Sequence, residues 1–304
     1  MSQGRPQDNR IKRRLLAPLS LLLAAALGAC PSEPAPAPKA TGASRVMMAV
    51  TPYHDRTFLE RNSAWVRETL ATETKLPIEL VVTTSYDNTV GLLLGGQVSL
   101  ASLSPNAYVL AHHRQPKLIL LARELVDGAK SYRSMIVTQP DSPLKTLLEL
   151  KNKKFCFVEP ASASGYIYPR VLLRKAGIDP DRDLGASLFT GSHPEVIRAV
   201  RAGKCAAGAV GSMALRKSKT GGTSKPLKIL AKSAPIPGDA VVMRHDLAPE
   251  LAASITRGFK KLIAQTQRQE QPKGLKSGGY VVAKDADYDS VRAMARRSGP
   301  ATLP

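Results

Sequence analysis

The chain has 304 residues, of which 43% are hydrophobic, and it carries a formal net charge of +20. This length and composition are enough for two domains of ordinary size with a real core. Its three cysteines and five histidines form no cluster with metal-ligand spacing, so the sequence predicts no metal site and no cofactor. A charge as basic as this one raises the question of nucleic-acid binding.

The N-terminus has the pattern of a targeting segment that is removed from the mature protein. Four basic residues lie within 10–14, and the apolar run from Leu15 to Leu27 is too short to span a bilayer comfortably. The run ends in Leu27-Gly28-Ala29-Cys30, which matches the lipobox of bacterial lipoproteins. The match predicts a signal peptide over 1–29 and a lipid on the Cys30 sulfur; an uncleaved anchor or an ordinary signal peptide is the alternative. A lipoprotein on the periplasmic or extracytoplasmic side of a membrane is not expected to bind nucleic acid.

The stretch 30–44 is rich in Pro, Ala and Ser and has no apolar periodicity, which predicts a semi-extended tether. Removal of 1–29 takes away five basic residues and one acidic residue, so the net charge falls from +20 to +16. A surface this basic can raise the encounter rate of small anions, or it can lie against anionic lipid.

Short apolar runs alternate with amphipathic segments along the rest of the chain. Strands are predicted over 45–50, 77–82, 98–101, 117–125, 132–138, 154–158, 187–190, 205–210, 227–230 and 240–243. Helices are predicted over 57–71, 85–94, 142–150, 249–266 and 288–297, and from starts at Ser104, Gly165 and Ser192, the last with a capping box to Glu195. This alternation predicts an α/β fold with largely parallel sheets.

The stretch Glu159–Tyr166 links a predicted strand to a predicted helix and is rich in hydroxyl groups. The first amides of a helix have no partner inside it and favour anions, and Ser162 and Ser164 add hydroxyl donors. Gly165 lets a ligand approach the backbone closely. Pro169 lacks an amide about one turn later, which predicts that the helix starts late or has an irregular first turn. The alternative is that Ser164 only caps the helix.

Polar side chains also follow several other strands at the point where a helix begins. Ligands of parallel α/β sheets lie beyond the carboxyl ends of the strands, so these side chains are candidates for a shared binding site. The residues at such junctions are Tyr53, Tyr86, Ser104, Ser162, Ser164 and His193.

Cys156 and Cys205 remain once Cys30 carries lipid, and both lie in apolar runs. Buried free thiols are the default interpretation. A disulfide is the alternative if the two strands are neighbours, since an extracytoplasmic compartment permits it.

Several motifs resemble the periplasmic phosphonate-binding proteins of ABC importers, together with their phosphite- and phosphate-binding relatives. The resemblance covers about 45–297, and the motifs that carry it are Asp127–Thr138, Glu159–Tyr166, Thr190–His193 and Ile236–Asp239. It implies the two-lobed fold of the second type of periplasmic binding protein, each lobe a mostly parallel sheet flanked by helices, in a monomer. The chain would cross between lobes near 134–138 and 232–240, so lobe 1 would comprise 45–136 plus 235–304 and lobe 2 would comprise 137–234.

The resemblance also implies a ligand site between the lobes. The residues implied in it are Tyr86 and Tyr132 from one lobe, Ser162, Ala163, Ser164 and Gly165 through hydroxyls and backbone amides, His193, and Asp239 beside the ligand's substituent. His193 could add positive charge when protonated. The sequence departs from the family pattern where Ala163 replaces a common Thr and Met213 replaces a second carboxylate. With Asp239 as the only carboxylate beside the substituent, we expect phosphite, phosphate or a short alkylphosphonate to bind better than 2-aminoethylphosphonate.

The function implied is that of a substrate-binding lipoprotein that captures a small phosphorus oxyanion and delivers it to an ABC permease in the inner membrane. One alternative is a sensory or scaffold lipoprotein that kept the binding fold without an importer. A hydrolase is the other alternative, with Ser162 or Ser164 as nucleophile, His193 as base and Asp239 as orienter, but the Gly-x-Ser-x-Gly elbow is absent. We therefore expect no enzymatic activity.

Overall fold

Residues 44–218, 225–272 and 278–299 are described by a computed structural model of the chain. The predicted signal peptide 1–29, the lipidation site Cys30 and nearly all of the predicted tether lie outside these residues. None of the helices in the described ranges combines the length and the apolar character needed to cross a membrane.

The strands and helices of the described ranges alternate along the chain. The strands are β1 (Val46–Val50), β2 (Ile78–Val82), β3 (Leu100–Leu103), β4 (Ile119–Glu124), β5 (Ser131–Tyr132), β6 (Ser134–Thr138), β7 (Lys154–Phe157), β8 (Ala186–Phe189), β9 (Ala207–Gly211), β10 (Lys228–Lys232), β11 (Ile236–Pro237), β12 (Ala240–Met243) and β13 (Tyr280–Val281). The helices are α1 (Arg56–Asn62), α2 (Ala64–Thr74), α3 (Tyr86–Leu94), α4 (Pro105–Arg114), α5 (Tyr168–Lys175), α6 (His193–Arg201), α7 (Ser212–Lys217), α8 (Pro249–Gln267) and α9 (Asp289–Ser298).

The strands form two large sheets, and both sheets are mixed. The six-stranded sheet has the order β13-β4-β12-β3-β1-β2, and only the β1–β2 and β1–β3 pairs are parallel. The five-stranded sheet has the order β10-β6-β9-β7-β8, and only β7–β8 and β7–β9 are parallel. The prediction of largely parallel sheets is therefore wrong. The strands that enter each sheet after a crossing are β6 and β12, and each is antiparallel to both of its neighbours. The alternation of strands and helices along the sequence does not indicate these strand directions.

Two neighbouring segments connect the sheets. The chain leaves the first sheet through β5 and returns through β11, and these two short strands pair antiparallel with Tyr132 opposite Ile236. Beside them, the Ser134 amide donates to the Ser233 hydroxyl at 2.9 Å, and the Ser233 amide donates to the Ser134 carbonyl at 2.9 Å. The predicted crossing near 232–240 contains β11, whereas the one predicted near 134–138 coincides with β6, the strand of the second sheet that follows β5. The division of the chain into two separately moving lobes remains a prediction.

Two predicted helices differ from the structure. The helix predicted over 57–71 is divided at Ser63 into α1 and α2, and the Ser63 hydroxyl donates to the Leu59 carbonyl. The helix predicted over 142–150 is reduced to a 3-10 turn at Leu148–Leu150. The Glu149 carboxylate accepts hydrogen bonds from the amides of Lys145 and Thr146, both at 2.7 Å. Such local bonds between side chain and backbone compete with helix formation.

A disulfide joins Cys156 and Cys205, whose Cα atoms are 5.8 Å apart. Cys156 lies on β7 opposite Gly208 of the neighbouring β9, and Cys205 lies just before β9 begins. The default interpretation of two free thiols is thus wrong, because β7 and β9 are direct neighbours. The bond lies immediately upstream of the serine-rich turn that follows β7.

The helix after that turn is fixed from behind by a buried arginine. Arg170 on α5 is almost fully buried, makes two hydrogen bonds to the Asp181 carboxylate and donates from Nε to the Ser298 carbonyl at 2.9 Å. Its guanidinium also lies over the Tyr166 ring, 4.9 Å from the centroid. These bonds hold α5 against the C-terminal end of α9 and thereby fix the position of the turn.

Candidate functional site

The turn between β7 and α5 is a π-helical turn over Ala163–Ile167. The Ile167 amide donates to the Ser162 carbonyl at 3.1 Å, and the amides of Ala163, Ser164 and Tyr166 precede this first bond, so the helix gives them no partner. Regular helix begins only at Tyr168, with Pro169 in its first turn. The irregular first turn predicted from Pro169 is confirmed.

Gly165 has a different role from the one predicted. Its amide donates to the Ser162 hydroxyl at 3.0 Å and is therefore not free to bind a ligand. A Cβ atom at this position would lie 2.4 Å from Cγ2 of Val158 and 2.8 Å from the Ser162 hydroxyl. Glycine is needed here because the turn packs tightly against Val158 at the end of β7, so the structure gives Gly165 a role in shaping the turn.

The turn faces a cavity whose lining comes from segments next to both sheets. The cavity has a volume of about 50 Å³. A water molecule needs roughly 10–15 Å³ by the same measure, so the space suits a group of a few heavy atoms. All six candidate residues at the strand-to-helix junctions line it, and so do Tyr132, Gly211, Met213 and Asp239. Ala163 is buried and is not among the lining side chains.

Two tyrosines and two serines meet in this cavity. Tyr86 follows the cap residue Ser85 at the start of α3, and its phenol lies beside the Ser162 hydroxyl. Tyr132 on β5 lies beside Ser164 in the same way. Burial raises the pKa of both phenols, and in both cases the neighbouring serine opposes the shift. Both phenols therefore stay protonated and can donate hydrogen bonds.

His193 is a neutral donor in this site. It begins α6, its Nδ1 accepts a hydrogen bond from the Gly211 amide at 3.2 Å, and its Nε2 lies 3.5 Å from the Ser164 hydroxyl. Burial, with a smaller effect of His54, lowers the pKa of His193 to about 4. The expectation that His193 adds positive charge is therefore wrong at neutral pH. Because Nδ1 is an acceptor, the ring proton is assigned to Nε2, which faces the serine turn.

The helix start at His193 also lacks the predicted capping box. Ser192 makes no capping bond through its side chain, and Glu195 pairs with Arg198 one turn later.

The hydrogen bond from the Gly211 amide to Nδ1 of His193 bears on the hydrolase alternative. A catalytic triad needs a carboxylate on the second histidine nitrogen, but here a backbone amide donates to that nitrogen. The arrangement gives no support to the hydrolase alternative.

Glu124 is the functional candidate that the sequence analysis missed. It ends β4, whereas Asp239 immediately precedes β12, and the Glu124 amide donates to the Asp239 carbonyl at 2.9 Å. Burial raises the pKa of Glu124, and the hydrogen bond from the Ser102 hydroxyl opposes this shift. The pKa of Asp239 is also raised, first by burial and then by the charge of Glu124. The interpretation of Asp239 as the only carboxylate beside the substituent is wrong. The strand-end rule could have found Glu124, which lies in the predicted strand 117–125.

The cavity contains no basic side chain of the ordinary anion-binding kind. Among the lining residues in the described ranges there is no lysine and no arginine, and the two histidines are His54 and His193. An anion in this space would therefore be held by hydroxyls, amides and an imidazole. The same ranges contain no group of three or more His, Cys, Asp or Glu residues placed to hold a metal ion.

Three contacts join residues next to the six-stranded sheet to residues next to the five-stranded sheet. The Glu159 carboxylate accepts a hydrogen bond from the Tyr86 amide at 2.8 Å, at the start of α3. The Ser104 hydroxyl donates to the Ala161 carbonyl at 3.1 Å. Arg216 on α7 forms an ion pair with Asp127 in the turn after β4. The first two contacts join the serine turn directly to the opposite helices.

A comparison with protein families decides the classification. The family of periplasmic substrate-binding proteins of phosphonate ABC transporters matches residues 48–288. The chain belongs to this phosphonate-binding family. Its members are substrate-binding components of ABC importers, which implies an extracytoplasmic location, a permease partner and a small ligand.

Individual relatives of the family agree with this classification. The chain is 28% identical over 277 residues to the "Phosphate-import protein PhnD" of Mycolicibacterium smegmatis, covering 84% of this chain and 86% of that protein. It is 32% identical over 109 residues to the "Probable ABC transporter phosphite binding protein PhnD1" of Prochlorococcus marinus, covering 34% of this chain and 36% of that protein.

Solved structures of the family share the fold. The structure of PhnD1 from Prochlorococcus marinus in complex with methylphosphonate matches with a TM-score of 0.74 and 19% identity, covering 84% of this chain and 98% of that one. A binding protein component of an ABC phosphonate transporter from Pseudomonas aeruginosa matches with a TM-score of 0.73 and 19% identity, covering 82% and 84%. The predicted type II periplasmic binding protein fold is confirmed.

Proposed function

We propose that this chain captures phosphite, phosphate or a short alkylphosphonate in the cavity and delivers it to the permease of its importer. The observation that carries the proposal is the convergence of neutral donors on one small space. The side-chain donors are the hydroxyls of Ser162 and Ser164, the phenols of Tyr86 and Tyr132, and Nε2 of His193. The unpartnered amides of the π-helical turn, at the positive end of α5, add to them.

Neutral donors are suited to a small tetrahedral oxyanion. Hydrogen bonds to an ionised acceptor are roughly twice as strong as neutral ones, so several of them can replace the water that the anion loses. The relatives support the same chemistry, since one is named for phosphate, one for phosphite, and one is solved with methylphosphonate.

The size of the cavity supports a ranking among these ligands. A volume of about 50 Å³ suits phosphite, phosphate or methylphosphonate better than the longer 2-aminoethylphosphonate. Met213 lies in the lining and can pack against a small alkyl group. The preference for these small ligands over 2-aminoethylphosphonate is thus the same as the one expected from the sequence. Its basis is the size of the cavity and not a lack of carboxylates.

Delivery requires that the permease distinguish loaded from empty protein. Closure of two lobes around the ligand, about the crossings near 134–138 and 232–240, would give the permease a closed form to recognise. Lipid on Cys30 and the tether 30–44 would keep the protein on the membrane near the permease.

Calorimetry on the full-length protein, purified in detergent, tests the binding proposal. Phosphite, phosphate, methylphosphonate and 2-aminoethylphosphonate are titrated into the protein, into Ser164→Ala and into the control Ser187→Ala. Ser187 is exposed on the edge strand β8, so only Ser164→Ala is expected to weaken binding. Absence of binding by every phosphorus oxyanion would refute the proposal, and tighter binding of 2-aminoethylphosphonate would refute the ranking.

Lipidation is tested separately with Cys30→Ser. The variant is expected to remain unprocessed or to leave the membrane fraction, and the mass of the mature wild-type protein should include the acyl chains. Unchanged partitioning and an unchanged mass would show that Cys30 is not the lipidated residue.

A further inference from the structure

Glu124 and Asp239 occupy directly opposed positions on two neighbouring antiparallel strands. Ala240 of β12 lies opposite Arg123 of β4, so the next pair outward is Asp239 opposite Glu124, joined by the backbone bond of 2.9 Å. Side chains directly opposite in such a pair have Cβ atoms about 4.5–5.5 Å apart. Both side chains line the ligand cavity. Two carboxylates therefore face the same enclosed space from adjacent strands.

The groups around this pair are phenols and a hydroxyl, not cations. Tyr280 on β13 lies near Glu124, and Tyr53, which precedes α1, lies near both carboxylates. Tyr86, which begins α3, lies near Asp239. Tyr132 on β5 and Tyr288 before α9 lie on the side of Asp239.

The remaining charged or titratable neighbours do not neutralise the pair. Ser102 on β3 bonds to the Glu124 carboxylate at 2.8 Å. Arg123 precedes Glu124 on β4, where alternation points it to the other face, and it donates to the Lys130 carbonyl at 3.4 Å. His54 and His193 also line the cavity. His54 pairs with the Asp55 carboxylate at 2.6 Å, and burial keeps His193 neutral at pH 7. Two ionised carboxylates in this setting would repel each other and a bound oxyanion.

We infer that Glu124 and Asp239 share one proton, and that the pair uses this proton to donate a hydrogen bond to an oxygen of the bound phosphorus oxyanion. Glu124 is then a specificity-determining residue, because its carboxylate lies opposite Asp239 and adds to the effect of burial in keeping Asp239 protonated. The inference rests on the proposed function and adds that the protonated form of the pair binds the oxyanion. A carboxylic acid donates to an oxyanion, whereas a carboxylate repels it.

The sign of the pH dependence follows directly. Below the raised pKa of the pair the proton is present and the oxyanion binds; as the pH rises through that pKa the proton is lost and affinity falls. One linked proton gives at most about a tenfold change in affinity per pH unit. A ligand with an ammonium group would show the opposite sign, because the pair must lose its proton to bind a cation.

The test uses calorimetry with methylphosphonate from pH 6 to pH 9 in two buffers of different ionisation enthalpy. The proteins are the full-length wild type, Glu124→Gln, Asp239→Asn and the control Glu79→Gln, an exposed residue on β2. The titration of the ligand itself is common to all four proteins, so the difference between their pH profiles isolates the acid pair. Thermal unfolding checks that each variant is folded, and two variants at the pair keep the test valid if one fails to fold.

The wild type and Glu79→Gln are expected to lose affinity as the pH rises through the raised pKa of the pair, and to take up a proton on binding at pH values above that pKa. Glu124→Gln and Asp239→Asn are expected to lose at least two-thirds of that pH dependence. Identical profiles in all four proteins would overturn the inference while leaving the proposed function intact. Binding of 2-aminoethylphosphonate that weakens as the pH rises, with the same profile as methylphosphonate, would also overturn it, whereas no binding of any phosphorus oxyanion at any pH would refute the proposed function itself.

Discussion

His193 shows at the scale of one residue how burial sets the charge of the site. Its ordinary pKa is 6.5, and in the folded protein burial lowers it to about 4. A neutral imidazole with its proton on Nε2 is a donor over the whole physiological range of pH. The site can therefore hold an oxyanion without changing its own charge at this residue.

This lowered pKa predicts a specific loss of stability in acid. The unfolded chain binds a proton at His193 near pH 6.5, whereas the folded chain does so only near pH 4. The free energy of unfolding therefore does not depend on His193 above about pH 6.5. It falls as the pH is lowered from about 6.5 to about 4, and the total loss from His193 is at most roughly 3 kcal/mol. Denaturant unfolding from pH 7 to pH 4 should show this loss, and His193→Gln should remove it. The exposed control His113→Gln should leave it unchanged, and an imidazole titration midpoint near 6.5 would contradict the prediction.

Gly211 allows a second prediction about single residues. A Cβ atom there would lie 3.3 Å from the Ser164 hydroxyl and 3.7 Å from Nε2 of His193, inside the space assigned to the oxyanion. Its backbone has φ −70° and ψ 144°, which alanine adopts without strain. Gly211→Ala is expected to weaken phosphite binding at least tenfold, by calorimetry, with little change in thermal stability.

Gly208→Ala is the matched control on the same strand. Its Cβ atom would lie 2.5 Å from Cγ1 of Val196 in the core, so overpacking should cost about 1–3 kcal/mol of stability. Its effect on affinity should be smaller than that of Gly211→Ala. If both variants lose only stability, the position of Gly211 in the ligand space is wrong.

Single residues were predictable from sequence when a local rule applied to them. The junctions between strands and helices located Tyr53, Ser104 and the serines of the turn, and all of them line the cavity. The role of Gly165 could not be predicted, since the bond from its amide to Ser162 depends on the exact path of the turn. The strand-end rule could have located Glu124, but its pairing with Asp239, 115 positions away, depends on the long-range pairing of β4 with β12.

The disulfide is the feature that matters most at the scale of elements. It ties β7 to the segment before β9, and the two cysteines have a sequence separation of 49. A cross-link that closes a loop of this length stabilises a protein by about 4 kcal/mol in the chain-entropy model, and measured values are often lower. The strands that carry the serine turn and Gly211 are thus joined covalently.

Replacement of both cysteines, Cys156→Ala with Cys205→Ala, should lower the free energy of unfolding by about 2–4 kcal/mol. Urea unfolding of the double variant and of the wild type, each with and without reductant, measures this difference. Reduced wild type should resemble the double variant, and reductant should not affect the double variant. A wild-type curve that does not respond to reductant, together with free-thiol labelling of the native protein, would contradict the disulfide.

Elements were predictable where periodicity and caps agreed, as for α8, which the sequence placed over 249–266 and the structure places at Pro249–Gln267. The irregular turn before α5 was also predictable, because Pro169 cannot supply an amide. The helix expected over 142–150 failed because the Glu149 carboxylate bonds the amides that would open it. Propensity does not reveal which of these local bonds will form.

At the scale of the whole molecule, the proposed closure of two lobes can be tested at the contacts that cross the cavity. Glu159 reaches from the serine turn to the amide of Tyr86, and this carboxylate is partly buried. Asp127 and Arg216 also meet across the cavity, but both are well exposed to solvent. Contacts made only in the closed form raise its population and thereby raise the apparent affinity.

The two contacts are therefore expected to differ in their effect on binding. Glu159→Ala should weaken methylphosphonate binding by about 1.5–3 kcal/mol, the range for a hydrogen bond to a charged group. Asp127→Ala should cost less than about 1 kcal/mol, because exposed ion pairs contribute little. Calorimetry measures both variants, and small-angle scattering of Glu159→Ala with and without ligand should show a larger change in size than the wild type. Equal effects of the two substitutions would contradict this account of closure.

The sequence predicted the fold class of the molecule but not the direction of every strand. A resemblance in four motifs was enough for the type II binding-protein fold, which the comparisons confirm. The antiparallel entry of β6 and β12 was missed, because strand order is set by the two crossings and not by local pattern.

The side-by-side crossings have a genetic consequence. All strands of the second sheet are encoded by one uninterrupted stretch, 134–232, and the bonds between Ser134 and Ser233 bring its two ends together. Such a stretch has the arrangement of an inserted domain, because domain insertions are tolerated where the ends lie close together. A chimera that took the stretch from a relative would inherit that relative's serine turn and histidine yet keep Glu124 and Asp239. The donors proposed to bind the oxyanion and the two carboxylates can thus diversify separately.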